Sequence, residues 1–367
     1  MSRLPDALAA TLARHTDLSN DRRLTLAVLI LGFVQARTVN LTHLAGAFCG
    51  PAKLSSNYRR LQRFFQYVRF DADWLARTLV ALARLAPPYE LILDRTNRKI
   101  GARDVNLLVL AVVTRRARLP VLWEVLDRGG GSTMAQCMAL IGRFVALFGE
   151  GSIKLLTADR EFDGNQWFEF LVENDIPFAI RVSACLHLRL ADGFRGTLGR
   201  LACTPTGRRR LRTAGGCFAG MDQRFDTALR FGVVNRAEDP IIVATNRNPR
   251  KAISAYKGRW QIECLFAETK TRGFNMEDTR LTNPAKLSLL LALVAIAMAW
   301  SLACASALIG RSDIPRAKHG FRRKSCFRTG FDALRQWITY QPDIAVQTWQ
   351  RIWRRRTNPD HRTIRVV

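Results

Sequence analysis

Tyr256, Arg259, Glu263 and Lys270 stand at offsets of 0, 3, 7 and 14 along the chain. At roughly 100° per residue, those offsets fall within about 60° of one another on an α-helix. One stripe would then carry an aromatic hydroxyl, two cations and a carboxylate. Two aspartates keep it company: Asp94 closes the apolar run Glu90-Leu-Ile-Leu-Asp94, and Asp159 closes Ile153–Asp159. Hard carboxylate oxygens suit Mg²⁺ or Mn²⁺. Two such ions about 3.5–4 Å apart activate an attacking oxygen and stabilise the leaving one during in-line displacement at phosphorus. Three acids serve that arrangement, one shared and one for each ion. The chemistry expected of Asp94, Asp159 and Glu263 is therefore two-metal-ion phosphodiester cleavage, with the cations of the stripe reading phosphate.

Each acid has a blander use. Asp94 and Asp159 are each followed by an arginine, Arg95 and Arg160, that could hold them in a structural ion pair. Glu161 rivals Asp159 as a ligand, because alternation along an extended chain keeps it on the same face. Glu268 lies off the stripe. Glu277 lies near its azimuth but beyond Gly273, where the helix should stop.

The elements that would position these groups follow from periodicity. Residues 1–86 read as helices: Leu24 to Val34, Leu41 to Phe48, a Cys49-Gly-Pro turn, and a helix from Leu54 on which Tyr58, Leu61, Phe64, Phe65 and Val68 recur at helical spacing. Arg59, Arg60 and Arg63 occupy the rest of that surface, which suits a DNA-facing helix and equally an ordinary amphipathic helix with solvated cations. From residue 87 the pattern changes. Strands are expected at Glu90 to Asp94, Val105 to Val113, Pro120 to Leu126, Ile153 to Asp159 and Ile176 to Val182. A helix from Thr133, with Gln136 completing a capping box, should run to Phe148, and another should follow Asp163. Three consecutive strands, a crossover helix, then alternating strand and helix is the order of the ribonuclease-H fold, a mixed α/β sheet flanked by helices. Residues 186–248, with short alternating runs, glycines and Arg208-Arg-Arg210, read as a β-rich insertion within a catalytic domain spanning 87–310. Residues 311–367 form a basic, partly helical C-terminal region.

Composition narrows the partner. The 367 residues carry 57 Lys or Arg against 30 Asp or Glu, a formal charge of +27. A polyanion is the natural counterpart, nucleic acid before acidic lipid. The 48% hydrophobic content excludes a disordered chain. Eight cysteines and five histidines are scattered with no ligand spacing, which excludes a zinc ribbon or redox dithiol. Met1 to Ala7 lacks the apolar core of a signal peptide, and the expectation is a reducing cytosol. Leu287 to Ile309 carries no charge and is long enough to span a bilayer, but a helix buried in a large core has the same pattern.

The intervals in Tyr256-Lys-Gly-Arg259-Trp-Gln-Ile-Glu263-Cys-Leu-Phe-Ala-Glu-Thr-Lys270 resemble the signature of insertion-sequence transposases of the IS-four family, the group of the Tn-five and Tn-ten enzymes. Asp94-Arg-Thr-Asn and Thr157-Ala-Asp159-Arg-Glu-Phe162 are similar to the contexts of that family's first two aspartates. The resemblance implies a cut-and-paste DNA transposase with a ribonuclease-H-like catalytic domain. By the same resemblance it would act as a homodimer on terminal inverted repeats and target DNA, with Asp94, Asp159 and Glu263 holding two Mg²⁺ or Mn²⁺ ions. Tyr256, Arg259 and Lys270 would grip phosphates near the terminal nucleotide. Two departures stand out. Arg98 occupies a position where the family commonly has an aromatic. No Trp lies between Trp167 and Trp260 to stack on a flipped base, leaving Phe194, Phe218, Phe225 or Phe231 for that task. A nuclease of the same fold without strand transfer, and a DNA-binding remnant without catalysis, are the alternatives.

Overall fold

The computed structural model describes residues 3–48, 51–100, 103–126, 131–202, 211–234, 240–310, 312, 314–318, 322–354 and 364–366. The chain opens with helices α1 (Arg3–Leu12), α2 (Asn20–Ala36), α3 (Leu41–Leu44) and α4 (Leu54–Tyr67). A short strand β1 (Val68–Phe70) and helix α5 (Ala72–Leu82) follow. Asp71 caps α5 by accepting from the Trp74 amide at 2.8 Å. Residues 49–50 of the expected turn lie outside the described residues.

Strands β2 (Tyr89–Ile100), β3 (Arg103–Val113) and β4 (Arg118–Leu126) form an antiparallel meander. Helix α6 (Met134–Phe148), opened by the Thr133–Gln136 capping box, crosses over to β5 (Ile153–Ala158), which runs parallel to β2. Helix α7 (Asn165–Glu173) leads to β6 (Phe178–Arg181), parallel to β5. The remaining strands are β7 (His187–Leu190), β8 (Arg195–Thr197), β9 (Leu211–Phe218), β10 (Leu229–Val234) and β11 (Ile241–Thr245), with helix α8 (Leu198–Ala202) among them. They do not form a separate sheet. β11 pairs antiparallel with β6, so that one ten-stranded sheet runs β4-β3-β2-β5-β6-β11-β10-β9-β7-β8. The β-rich stretch expected at 186–248 thus prolongs the central sheet; its Arg208–Arg210 cluster lies outside the described residues.

Alternation along β3 explains the layers. Val105, Leu107, Val109, Ala111 and Val113 enter one core, and Leu108, Leu110 and Val112 enter the other, as the two-residue period of a strand requires. The second core is closed by α6 and α7. The first is closed by helices from both ends of the chain: α1, α2, α4 and α5, then α10 (Trp260–Thr269), α11 (Pro284–Ile309), α12 (Cys326–Tyr340) and α13 (Pro342–Arg354). α10 follows α9 (Pro249–Tyr256), which Asn248 caps and Pro249 starts. The division at residues 86 and 310 read from composition follows the chain, whereas this packing crosses both boundaries. The indole N–H of Trp349 even donates to the carbonyl of Leu8 at 3.3 Å, and β12 (Ile364–Val366) pairs with β1.

Helix α11 is long and apolar enough to cross a membrane, but 89% of its apolar window is buried inside the protein. It is the central rod of the helical layer, apolar on all sides because neighbours cover all sides. α12 crosses it at Gly330, where a Cβ would come within 1.8 Å of the Ser301 carbonyl oxygen. Only a residue without a side chain allows that approach. Gly330→Ala is expected to lower stability by about 1–3 kcal/mol through overpacking, read as a drop in the urea midpoint. An unchanged midpoint would show that the two helices can part.

Candidate active site

β2 does not end at the first aspartate, as its sequence suggested. The strand continues to Ile100 because its hairpin with β3 stays paired from Asp94↔Val109 out to Ile100↔Arg103. What stops is the parallel neighbour. The last β2–β5 pair is Leu93↔Ala158, so Asp94 and Asp159 are the next residues on adjacent strands. Both therefore stand where β5 leaves the sheet, with one strand continuing and the other departing. Thr157 ties the two strands just below, its hydroxyl donating to the Leu91 carbonyl at 3.2 Å.

The third acid arrives on α10. Between α9 and α10 the residues Lys257–Arg259 form a 3-10 turn, so the stripe is not one continuous α-helix. Three residues per turn place Arg259 directly beneath Tyr256, with its guanidinium 5.9 Å from the phenol ring centroid. Ile262 and Leu265 anchor α10 in the helical core beside Ile92 of β2. That leaves Glu263 facing outward, 65% exposed at its side chain.

Arg259 gathers the three acids. Its Nη1 lies 3.2 Å from Asp94 Oδ2, and its Nη2 lies 3.1 Å from Glu263 Oε1 and 3.6 Å from Asp159 Oδ2. Asp159 and Glu263 thus share a single nitrogen. Tyr256 donates its hydroxyl to Asp159 Oδ1 at 3.0 Å. Of this group Tyr256, Arg259 and Glu263 line a cleft of about 440 Å³, together with Arg181, Lys257 and Trp260. The alternative use of Asp94, a structural pair with Arg95, does not form through the side chains. Arg95 turns to Glu161 at 2.7 Å, which occupies the rival acid, while Asp94 accepts the Arg95 backbone amide at 2.8 Å.

Charge state follows from burial. Asp94 has its pKa pushed up to about 6 by desolvation, against the pull of the Arg95 amide and of Arg259. Burial works against the charge of Arg259, but Asp159, Tyr256, Asp94 and Glu263 together raise its pKa. Tyr256 is pushed up to about 12 by burial and by the Asp159 carboxylate. One guanidinium divided among several acids does not repay the burial of Asp94. The donor set, three carboxylates with one of them strained in its charged form, fits a hard divalent cation. Among the described residues no group of three or more His, Cys, Asp or Glu is clustered to hold an ion as placed, since the guanidinium fills the centre.

Lys270 is not brought to this cluster. α10 ends at Thr269, and Lys270 leaves helical geometry with ψ −137° and pairs with Glu277 at 3.4 Å. The tight return at Gly273, where a Cβ would stand 1.9 Å from the Glu268 carbonyl oxygen, ends the helix before the fourth position of the stripe. On α4, Arg59 and Arg63 are exposed and line a groove of about 820 Å³ with Tyr58, Gln62, Arg280 and Lys286. Arg60 turns inward instead. It pairs with Asp21, donates to the Thr25 hydroxyl at 3.0 Å and lies over Phe48, so its charge is spent on holding α4 to α2. Phe218, Phe225 and Phe231 are buried in the sheet core and closed to stacking, and Phe194 is half-buried. The aromatic exposed beside the acids is Trp260, 57% accessible, which sequence reasoning passed over. Nothing in spacing marks it, since exposure depends on what packs nearby.

Residues 127–300 match the family model of the transposase DDE domain. That stretch contains Asp159 and Glu263 and begins beyond Asp94. No curated protein matches the chain. The family match supports a transposase role with nuclease-type chemistry, and such domains generally use divalent metal ions.

The Asp94 shift sets a pH dependence. A carboxyl whose folded pKa lies above its ordinary value keeps its proton while the unfolded chain has lost it, so stability falls as pH rises from about 4 to about 6. In chelator-containing buffer, Asp94→Asn is expected to be more stable than the parent at pH 7 by on the order of 2 kcal/mol, with the gap closing near pH 4. Equal melting curves at both pH values would contradict this.

Proposed function

We propose that the chain is a cut-and-paste DNA transposase whose catalytic domain is ribonuclease-H-like. The observation that carries the reading is the meeting of Asp94, Asp159 and Glu263 on the one guanidinium of Arg259. The strand order supports the fold assignment: β4-β3-β2-β5-β6, with three antiparallel strands followed by two parallel ones, is the order expected of that fold. The DDE-domain match over 127–300 supports the activity.

In this reading Asp94, Asp159 and Glu263 hold two Mg²⁺ or Mn²⁺ ions. Bound there, such ions would supply an activated oxygen nucleophile and would stabilise the leaving oxygen at phosphorus. The protein's own groups do the rest. Arg259 is the counter-charge of the acids in the resting site, and its long side chain can turn to a phosphate when ions take its place. Tyr256, with its raised pKa, stays protonated at neutral pH and orients Asp159 by donating to it. Lys270, at the end of α10, meets backbone further along the strand. Arg59 and Arg63 face the duplex of the element's end from the 1–86 region, and Arg60 braces their helix. Hydrolysis frees a 3′-hydroxyl, which then attacks a target phosphodiester and displaces the target strand's own 3′-oxygen, and a homodimer holds the two terminal inverted repeats together. The setting is the bacterial cytoplasm.

Asp94→Ala should abolish Mg²⁺-dependent nicking of end-containing DNA while leaving DNA binding intact; undiminished cleavage removes Asp94 from the site. Lys270→Ala should weaken end binding and flatten the slope of log K against log salt by about 0.9, one phosphate contact. An unchanged slope counts against that contact.

A further inference from the structure

From Pro240 to Ile262 the chain carries five cations, Arg247, Arg250, Lys251, Lys257 and Arg259, and no Asp or Glu. Two of the five are engaged, Arg259 by the acids and Arg247 by Asp175 at 2.8 Å. The other three are exposed, and among the described residues no ion pair holds their side chains. At Arg250 and Lys251 it is the backbone amides that are engaged, donating to Asn248 Oδ1 as the cap of α9. The neighbouring surface behaves differently, since Glu173 of α7 takes Arg224.

Local folding gives these cations no use. The first turn of a helix is the positive end of its macrodipole, where carboxylates are stabilising and cations are not. α9 has no acid in its first turn and places Arg250 and Lys251 there. Its seat on the sheet comes instead from Ala252, Ile253 and Tyr256, packed with Ala179 and Val243. Gly232 lets it settle closely, since a Cβ there would come within 2.7 Å of Ile253. The helix is held by its apolar side, and the charges face water against the local preference.

Their line runs to the catalytic cleft. Lys257 opens the 3-10 turn and lines that cleft beside Arg259. From Arg250 to Lys257 seven residues rise about 10 Å. One strand of a duplex offers a phosphate about every 3.4 Å of its axis, so the ridge spans about three phosphates. Its direction follows from the sheet. Ala179 and Val243 alternate with Ile180 and Ile242, which enter the core closed by α6 and α7, so α9 lies on the same face as α10. There α9 covers β6, β11 and β10, whereas α10 sits beside Ile92 of β2. The two helices thus leave the acids on opposite sides of β5. The groove of Arg59 and Arg63 belongs to the α10 side, because its other wall is Arg280 and Lys286, beyond the end of α10.

We infer that the exposed face of α9 is a backbone track for flanking DNA, the duplex beyond the scissile phosphate on the side away from the element's end. The inference rests on the DNA-acting reading above, in which the α4 groove takes the element's end. A duplex crossing the acids continues on both sides of the phosphodiester to be cut, and α9 supplies the cations on the side that the α4 groove does not reach.

The test uses the full chain carrying Arg250→Gln, Lys251→Gln and Lys257→Gln together, all at exposed positions. A second variant carries Arg250→Gln with Lys251→Gln and leaves the cleft untouched. Binding is measured in chelator across a salt series with two duplexes. One is the inverted repeat ending at the cleavage position; the other continues it by about one helical turn of flank, 10 base pairs. The triple variant should weaken binding of the flanked probe by about tenfold or more and flatten its salt slope by about 2.7, three contacts at 0.9 each, and the double variant by about 1.8. Both should bind the unflanked probe as the parent does, which also shows that they are folded. Equal loss on the two probes places the element's own end on α9 and overturns the flank assignment. Loss confined to capture of an unrelated duplex by the unflanked complex makes the occupant target DNA and overturns it too. Unchanged affinity and slope on every probe overturn the track altogether. If the parent chain itself binds neither probe in a salt-dependent way, it is the DNA-acting reading that fails, which separates the two failures.

Discussion

The site depends on one balance of charge. Asp94 and Asp159 stand side by side because β5 leaves the sheet one residue before them, and Glu263 descends from α10. Three carboxylates so close repel one another, and Asp94 is buried besides. Arg259 makes the arrangement tolerable by touching all three, and its delocalised fork is the side chain best shaped for that. The rest of the fold can be understood as what holds that guanidinium in place: the 3-10 turn that sets it beneath Tyr256, and the apolar face of α10 seated beside β2.

Much of this was legible in the sequence. Tyr256, Arg259 and Glu263 were found by helical phase, and although the helix is interrupted, the tighter turn preserves their alignment. Strand identity was readable from apolar runs, because a sheet covered on both faces needs continuous hydrophobic strands. Strand length was not. The chain after Asp94 is polar, yet β2 continues because its hairpin partner supplies hydrogen bonds regardless of side chain. Lys270 falls outside the cluster for a related reason. Phase arithmetic assumes the helix lasts to the glycine at 273, yet α10 already ends at Thr269, and the close packing of Gly273 on the Glu268 carbonyl has no periodic signature.

The long-range groupings were illegible for a deeper reason. Arg37, Arg118, Arg272 and Arg328 share a groove because four distant segments meet there. A net charge of +27 announces a polyanionic partner without saying where cations concentrate. Burial of partners sorts them further. Arg60 looked equivalent to Arg59 and Arg63 on its helix, yet it lies against Asp21, Thr25 and Phe48 while the other two remain in solvent. Identical side chains at neighbouring positions thus divide between scaffold and surface, and only tertiary packing makes that division.

The contact between Trp349 and Leu8 carries a consequence for how the molecule comes into being. Those residues are separated by 341 positions, and both belong to the helical layer that seats α10. Closing so wide a span is entropically slow compared with forming local turns. During synthesis the strands bearing the first two aspartates emerge well before α12 and α13 exist to complete the layer behind α10. The blade is forged early, but its hilt is fitted last, and a half-made chain holds its two aspartates before anything can seat Arg259 between them.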